Sequence, residues 1–528
     1  MPTQLTVADR RARGADARTR TPRTDHSGWR PAADRQSPVD LLVAQEETRE
    51  PDLVPVRHGR MMVSPFTFYR GAAKIMAEDL NGTPTAGLDV QLCGDAHLLN
   101  FGIFGSPERR LVFDVNDFDE TLPGPFEYDV KRMAASFVIA ARNSGFTRAQ
   151  ASEAALESVA AYRTAMADFA QQGTMDIWYA SLGEDEIKRA VRDVAAESAD
   201  LAKSAKPAKK GTAKGAKEAK AAAKVAKKED QTTKVLDDTE QDDGKARKEA
   251  RGQSGAKDQA KMAKRAEKTV AGLTAKAHTR DSLQALSKLA ELVDGRYQII
   301  SQPPVVIPLR DMPANVLPPD IDKELRDQFR DYRATLQPDR RHLLEQFEIV
   351  DVARKVVGVG SVGTRCFIAL LQGRDASDPL FMQVKEATTS VYEEHLPRSR
   401  YRQHGQRVVQ GQRIMQAVSD IFLGWTRGVD VSRHFYWRQL RDMKGSVDPE
   451  GATPLGLTLY ARVCGWTMAR AHARSGDPVA IAAYLGSSDA FDKSITDFSH
   501  RYADQNEQDY DEFAATIKDG HLEAIEGI

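Results

Sequence analysis

Gly358-Val-Gly-Ser-Val-Gly363 stands between two runs rich in β-branched and aromatic residues, Glu348 to Val357 and Thr364 to Leu371, and a third such run, Pro379 to Ala387, follows a glycine-containing turn. Glycines at this spacing let backbone amides approach and bind phosphate oxygens. The loop alone is a weak signal, so its flanks decide. A dinucleotide-binding fold requires a helix directly after the last glycine, whereas Thr364-Arg-Cys-Phe-Ile-Ala-Leu-Leu371 reads as a strand that turns at Gln372-Gly-Arg-Asp375 into another. A phosphate-loop NTPase requires Lys and then Ser or Thr at that point, and here the residues are Thr364 and Arg365. The runs therefore predict an antiparallel meander with the glycine loop at its first turn.

Lys385 lies on the third run, in Val384-Lys-Glu-Ala387. Strand, glycine loop, strand, turn and lysine-bearing strand is the layout of a kinase small lobe. In it Gly358, Gly360, Ser361 and Gly363 would cover the phosphates of ATP, and Lys385 would bind the α- and β-phosphates. The helix after that strand ordinarily supplies a Glu that holds the lysine. The helical stretch here, Gln406 to Ser419, offers Gln406, Gln410, Gln412 and Gln416 but no acid, while Glu393 and Glu394 stand nearer the strand. Glu394 is the first candidate for that partner.

The carboxylates lie upstream, in Cys93-Gly-Asp-Ala-His-Leu-Leu-Asn100 and Phe113-Asp-Val-Asn-Asp-Phe-Asp119. Asp95 and Asn100 have the spacing of the base and the metal-binding Asn of a kinase catalytic loop. Asp117 fits the second metal ligand, because Mg2+ bridging two phosphates takes hard oxygens from adjacent loops, and Asp114 and Asp119 compete for that role. With Glu127-Tyr-Asp-Val130, these runs resemble the aminoglycoside phosphotransferase and choline kinase branch of the kinase-like superfamily. The motifs of that branch read His-Gly-Asp-x-His-x-x-Asn, Ile-Asp-Phe-Asp and Tyr-Asp-Leu in the same order, with Cys93 here in place of the first His. Taken singly, Asp95 and Asn100 could cap a turn and His97 could bond a nearby carbonyl. Asp95-Ala-His97 is also a D-x-H metal pair of metallophosphoesterase type, but that site needs further ligands, and no Gly-Asn-His occurs in the chain.

In an ordinary kinase the glycine loop precedes the catalytic loop; here it follows. A circular permutation accounts for this order, since folds tolerate new termini in exposed segments. Gly465-Trp-Thr-Met-Ala-Arg-Ala-His-Ala-Arg474 supports it by resembling the Leu-Ala-Arg-Leu-His helix that small-molecule kinases place before their catalytic loop; His472 itself reads as a packing or capping residue. From about Leu41 to the end, outside a Lys/Ala-rich insert, the chain is similar to a bacterial family catalogued as domain of unknown function 2252. That resemblance rests on Phe68-Tyr-Arg-Gly71, Cys93-Gly-Asp-Ala-His97, Lys355-Val-Val-Gly-Val-Gly-Ser-Val-Gly-Thr-Arg365, Gln383-Val-Lys-Glu-Ala387 and Tyr502-Ala-Asp-Gln-Asn506. It implies no established activity. Arg70 is a candidate substrate or phosphate contact, or an arginine stacked on its aromatic neighbours.

Composition sets the outer bounds. Of 528 residues, 75 are Lys or Arg and 76 Asp or Glu, which gives no global argument for nucleic acid or an acidic partner. Cys93, Cys366 and Cys464 are far apart, which suits a reducing cytoplasm, and no run has the length to cross a bilayer. The expected fold class is α+β, a two-lobed kinase-like fold in permuted order with a small antiparallel-sheet lobe and a large, mainly helical lobe. The expected divisions are a disordered arm (1–40), the catalytic-loop part of the large lobe (41–130), a helical segment (131–202), the Lys/Ala-rich insert (203–280), a helical connection (281–345), the glycine-loop small lobe (346–440) and C-terminal helices (441–528). The insert reads as a solvated linker rather than a nucleic-acid contact. The expected ligands are ATP, Mg2+ and an unknown hydroxyl acceptor. The alternatives are a nucleotide-binding pseudokinase or scaffold without turnover, and nucleotidyl transfer by the same site.

Overall fold

In a computed structural model the described residues are 5–189, 192, 265, 268, 271–280, 282–313, 319–440 and 443–528. Met1–Ile187 with Ala271–Ile528 forms one unit and Lys188–Val270 another, and the elements that carry the candidate site residues all belong to the first. Most of the expected 203–280 insert lies outside the described residues. Residues 271–280 do not behave as a linker, because Thr274 and Ala277 are buried and Arg280 Nη1 donates to the Lys444 carbonyl at 2.5 Å.

Strands β1 (Asp89–Leu92) and β4 (Leu122–Pro125) pair antiparallel, and between them β2 (Phe101–Gly105) pairs with β3 (Leu111–Val115), to which β5 (Leu182–Gly183) is added. The chain between β1 and β3 is not a single loop, because β2 interrupts it. All five of its residues are buried, so it lacks the alternation that marks a half-exposed strand. The Cys93–Asn100 stretch is consequently short and anchored at both ends. Next come the hairpin β6 (Ala290–Val293) and β7 (Arg296–Ile299), then β8 (Val306–Pro308), all three within the expected helical connection 281–345. The helical part of that connection is two helices, Ile321–Arg333 and Pro338–Leu344, because Pro338 cannot continue a helix but starts one well.

The runs around the glycine loop are β9 (Glu348–Lys355), β10 (Cys366–Gln372) and β11 (Pro379–Glu386), which join β12 (Gly424–Arg427) and β13 (His434–Gln439) in a six-stranded antiparallel sheet of order β12-β13-β11-β10-β9-β8. Register sets Cys366 opposite Lys385, Lys385 opposite Tyr436 and Gln383 opposite Arg438, so all five share one face. The other face carries Ala369, Leu371, Met382, Val384 and Trp437 against Phe329, Tyr332 and Leu344 of the two helices. Tyr332 stacks on Trp437 with centroids 4.6 Å apart. On the Lys385 face, Ile368, Leu370 and Phe381 are covered by Ala285, Leu286 and Leu289 of the Ser282–Leu289 helix. The chain is thus a mixed α+β fold. Among the described residues no helix is long and apolar enough to cross a membrane.

The arm expected to be disordered, 1–40, is ordered from Thr6 onward. Helix Val7–Arg20 starts with a capping box, Thr6 Oγ1 accepting from Asp9 N at 3.1 Å and Asp9 Oδ2 from Thr6 N at 3.0 Å. It turns only small residues, Gly14 and Ala17, inward and docks with arginines, Arg18 Nε donating to Tyr484 O at 2.8 Å. A face that narrow leaves no apolar period in the sequence. Beyond it, buried His26 Nε2 lies 2.6 Å from Tyr484 Oη, and Arg35 bridges Asp79 at 2.6 Å and Asp509 at 2.7 Å.

Burial, with Lys131 nearby, pushes His26 down to about 3. An unfolded histidine titrates near about 6.5, so the stability contributed by a neutral His26 is complete above that value and is lost as pH falls toward its folded one. Between about pH 7 and pH 5 the wild type should therefore lose about 2 kcal/mol more than His26→Gln, measured as urea unfolding free energies. Equal losses in the two proteins would contradict the assignment.

Candidate functional site

Asp95 is set by what surrounds the two residues before it. Gly94 has φ 85°, and a Cβ there would collide with the Glu120 carbonyl, so only glycine serves. The Asp129 carboxylate, in the first turn of helix Phe126–Asn143, accepts from Cys93 N at 2.8 Å and Gly94 N at 3.0 Å. His472 Nε2 lies 3.2 Å from Asp129 Oδ2, and its Nδ1 is 2.9 Å from Tyr162 Oη. His472 thus packs and orients, and helix Pro454–Ser475 lies under the Asp95 loop. Tyr392 Oη donates to Gly94 O at 2.8 Å. The Cys93 thiol is fully buried against Asp129, and burial, with that carboxylate, pushes it well above the usual thiol range, which makes it a neutral packing group.

Buried Arg132, one helical turn after Asp129, binds Asp95 Oδ1 through Nε at 2.9 Å and Nη2 at 2.8 Å, and its guanidinium lies over the Tyr69 ring, 3.9 Å from the centroid. Asp95 Oδ2 is therefore the oxygen left to a ligand, with His97 Nε2 3.7 Å away. Burial pushes His97 down to about 4, and Leu99 N donates to its Nδ1 at 3.2 Å, so a neutral ring carries its proton on Nε2, facing Asp95. Asn100 Nδ2 donates to Asp95 O at 2.7 Å, which makes Oδ1 the atom it can offer outward.

Lys385 reaches this loop from the sheet. Its Nζ lies 3.5 Å from Asp117 Oδ2 and forms a closer ion pair with Asp119 Oδ2. Burial alone would lower the ammonium; Asp117 and Asp119 outweigh it and raise it well above its usual range. The carboxylates divide. Burial raises Asp117, but Lys385 and Arg438 outweigh it and hold Asp117 low, while burial and the facing Asp117 raise Asp119. Burial pushes neighbouring Glu120 up to about 7. Asp117 and Asp119 keep 30% and 27% of their side-chain exposure, enough to meet a ligand.

Asp117 and Asp119 open onto a cavity of about 90 Å³ that Asp95, His97, Asn100 and Arg70 also line, together with Gly358, Val359, Gly360 and Ser361. Ser361 Oγ is 3.5 Å from Asp119 Oδ2. The loop is held from outside: Arg49 binds the Val362 carbonyl, Glu50 N donates to Gly363 O at 2.7 Å, and Arg60 Nη1 donates to Gly358 O at 2.5 Å. Val359 and Val362 enter apolar clusters with Leu41, Leu42 and Phe513 and with Leu53 and Val56. Gly363, at φ 88° against Arg49, shapes the far end of the loop and does not line the cavity. Three oxygen donors, from Asn100, Asp117 and Asp119, suit a hard cation such as Mg2+, and two facing carboxylates of which one is raised by the other gain from such a charge.

Two sequence expectations are corrected. Glu394 does not hold Lys385, because it is half exposed and paired with Lys74 Nζ at 2.7 Å. Helix His404–Met415, which follows β11, supplies Arg407 in place of an acid. Its guanidinium donates to Thr121 O at 2.7 Å and to Asp119 O and Thr388 O at 2.8 Å, fixing the carboxylate loop directly. Asp114 drops out as a metal ligand: it is fully buried, ion-paired with Arg470, and accepts from Ala417 N at 2.8 Å. Sequence reasoning missed Arg132, Arg407, Arg438 and Tyr436, which donates to Asp119 Oδ1 at 2.8 Å. The helical offset of Arg132 from Asp129 was a usable signal; the arginine on a helix otherwise read for acids was another.

No curated protein matches the chain, and no solved structure does. Residues 49–241 and 201–516 match the family described as uncharacterized protein conserved in bacteria (DUF2252), and the chain belongs to that family.

Proposed function

We propose that the chain is an ATP- and Mg2+-dependent phosphotransferase of kinase-like fold in circularly permuted order, with residues 346–440 as its small lobe. The observation that carries this reading is Lys385 Nζ lying 3.5 Å from Asp117 across 268 residues of chain, beside a cavity shared by the glycine loop and Asp95. Glycine-loop amides and Lys385 bind the donor phosphates; Asn100 and Asp117, with Asp119 beside them, hold the metal. Bound Mg2+ supplies charge neutralisation on the phosphate oxygens. Asp95 Oδ2 orients the acceptor hydroxyl and takes its proton. A cytoplasmic setting agrees with three free, buried cysteines.

The test is transfer itself. With Mg2+ and ATP, an acceptor should gain the mass of one phosphate; a gain of one adenylate would instead mean nucleotidyl transfer. Asp95→Asn should bind ATP as the wild type does and lose transfer by roughly 100-fold or more, since the carboxylate is needed only for the chemistry. Loss of binding in that variant would contradict its role. The Arg132 contacts on Asp95, at 2.8 and 2.9 Å, favour a second reading, a pseudokinase or scaffold that binds nucleotide without turnover. It predicts stabilisation by ATP with no consumption over long incubation.

A further inference from the structure

Four acids line the cavity beside the glycine loop, Asp95, Asp117, Asp119 and Glu120, and of the described residues that line it Arg70 alone is a lysine or arginine. The buried arginines around the site are spent on the protein itself. Arg132 holds Asp95 and the Tyr69 carbonyl, Arg57 holds Glu46 and the Gly71 carbonyl, and Arg407 holds three carbonyls. Among the described residues the Arg70 guanidinium has no hydrogen-bond or ion-pair partner, although its Nε is buried. The ring of its neighbour Tyr69 is taken by Arg132, 3.9 Å from the centroid. Burial works against the charge on Arg70, and Asp95 offsets part of that effect. A guanidinium buried without a counter-charge is costly, so an anion is the group that would complete it.

The side chain is also held in place. Arg70 lies in the last turn of helix Pro65–Gly71, and the carbonyls on either side of it are fixed, Arg132 Nη2 donating to Tyr69 O at 2.8 Å and Arg57 Nη2 to Gly71 O at 3.0 Å. The same Arg132 Nη2 lies 2.8 Å from Asp95 Oδ1, so one guanidinium ties the backbone at Arg70 to the candidate base. A Cβ at Gly360 would stand 3.1 Å from the Arg70 carbonyl, which places this helix end directly against the glycine loop. Arg70 therefore borders both the loop assigned to the phosphates and the carboxylate assigned to the acceptor.

We infer that Arg70 is a further catalytic residue, which donates to the terminal phosphoryl group of ATP as that group passes to the acceptor. The inference rests on the phosphotransferase reading for its chemistry, but is read out by binding. The planar fork of a guanidinium matches two oxygens of one phosphoryl group, and such bonds are charge-assisted. In the transfer step the acceptor oxygen bonds the terminal phosphorus as the bridging P–O bond breaks. The hydroxyl proton passes to Asp95, and ADP leaves with the bridging oxygen. Arg70 exchanges no proton; it stabilises the charge on the non-bridging oxygens, as an arginine supplied in cis does in other phosphoryl transfers.

Titration calorimetry of the full chain with ATP and with ADP, each with Mg2+, decides the matter for wild type, Arg70→Gln and Arg70→Lys, because ADP lacks the group that Arg70 binds. Arg70→Gln should bind ATP roughly 10- to 100-fold more weakly and ADP within about twofold of wild type. Arg70→Lys should fall between, since it keeps the charge and loses the fork. The side chain bonds nothing in the protein, so the urea midpoint should not fall in either variant. Unchanged ATP binding in Arg70→Gln, or equal weakening of ATP and ADP with or without a fallen midpoint, would overturn the inference and leave the phosphotransferase reading standing. Binding of neither nucleotide by the wild type overturns both.

Discussion

Asp117→Asn is expected to weaken Mg2+-dependent ATP binding by roughly 100-fold or more, since even groups one step removed from a metal are worth about 10- to 100-fold. Asp117 is the site carboxylate that its surroundings hold ionised: Lys385 and Arg438 outweigh its burial, whereas Asp119 is raised by the neighbouring charge. An amide keeps the shape and one oxygen but removes the charge that attracts a divalent cation. The fold should survive. Lys385 keeps Asp119 and Tyr436 beside it, and Asp117 is 30% exposed, so the lost pair costs at most about 1 kcal/mol. Calorimetric titration with ATP and Mg2+, alongside urea unfolding, separates the two quantities. Unchanged affinity in a folded variant would remove Asp117 from the site.

Three residues earlier the same chemistry has the opposite consequence. Asp114→Ala is expected to destabilise the protein by about 3–5 kcal/mol, because it leaves a buried guanidinium without its counter-charge. Arg470 is 1% exposed and Asp114 fully buried, and the Asp114 carboxylate also accepts from Ala417 N at 2.8 Å and Val115 N at 2.9 Å. After the substitution Arg470 keeps, among the described residues, the Met415 carbonyl. The urea midpoint should fall steeply, while the protein that remains folded binds ATP normally. A small stability change with lost binding would exchange the roles assigned to Asp114 and Asp117.

That contrast marks how far the sequence could be read. Phe113-Asp-Val-Asn-Asp-Phe-Asp119 supplies three acids by pattern, but their assignment depends on Arg470 and Lys385, hundreds of residues away, and on which side of a strand end each side chain leaves. The strands that carry the glycine loop and Lys385 were legible because β-branched runs and glycine turns are local signals, and β9, β10 and β11 start and end close to the predicted positions. Motif spacing picked out Lys385 and the acids separately, but their ion pair was not foreseen, since Glu394 was the partner expected for Lys385. The arginines were legible only in part: the helical positions of Arg132 and Arg407 hint at a role, but their partners, like that of Arg438, are carbonyls and carboxylates distant in sequence that no local period names. The N-terminal helix was hidden for a related reason, since it docks through small residues and arginine contacts rather than an apolar stripe. The short β6–β7 hairpin lacks enough residues to show a period.

The most direct test of the central claim, that the glycine loop, Lys385 and the Asp95–Asp117 loops form one phosphate-binding site, is a double-substitution cycle on ATP binding with Mg2+. Wild type, Lys385→Met, Asp117→Asn and the double variant would each be titrated calorimetrically. If both groups act on one triphosphate, each single change weakens binding strongly, and the double variant is weaker by clearly less than the sum, with a coupling of about 0.5–3 kcal/mol. Binding by the wild type that neither change alters, or no binding at any ATP concentration, would contradict the account.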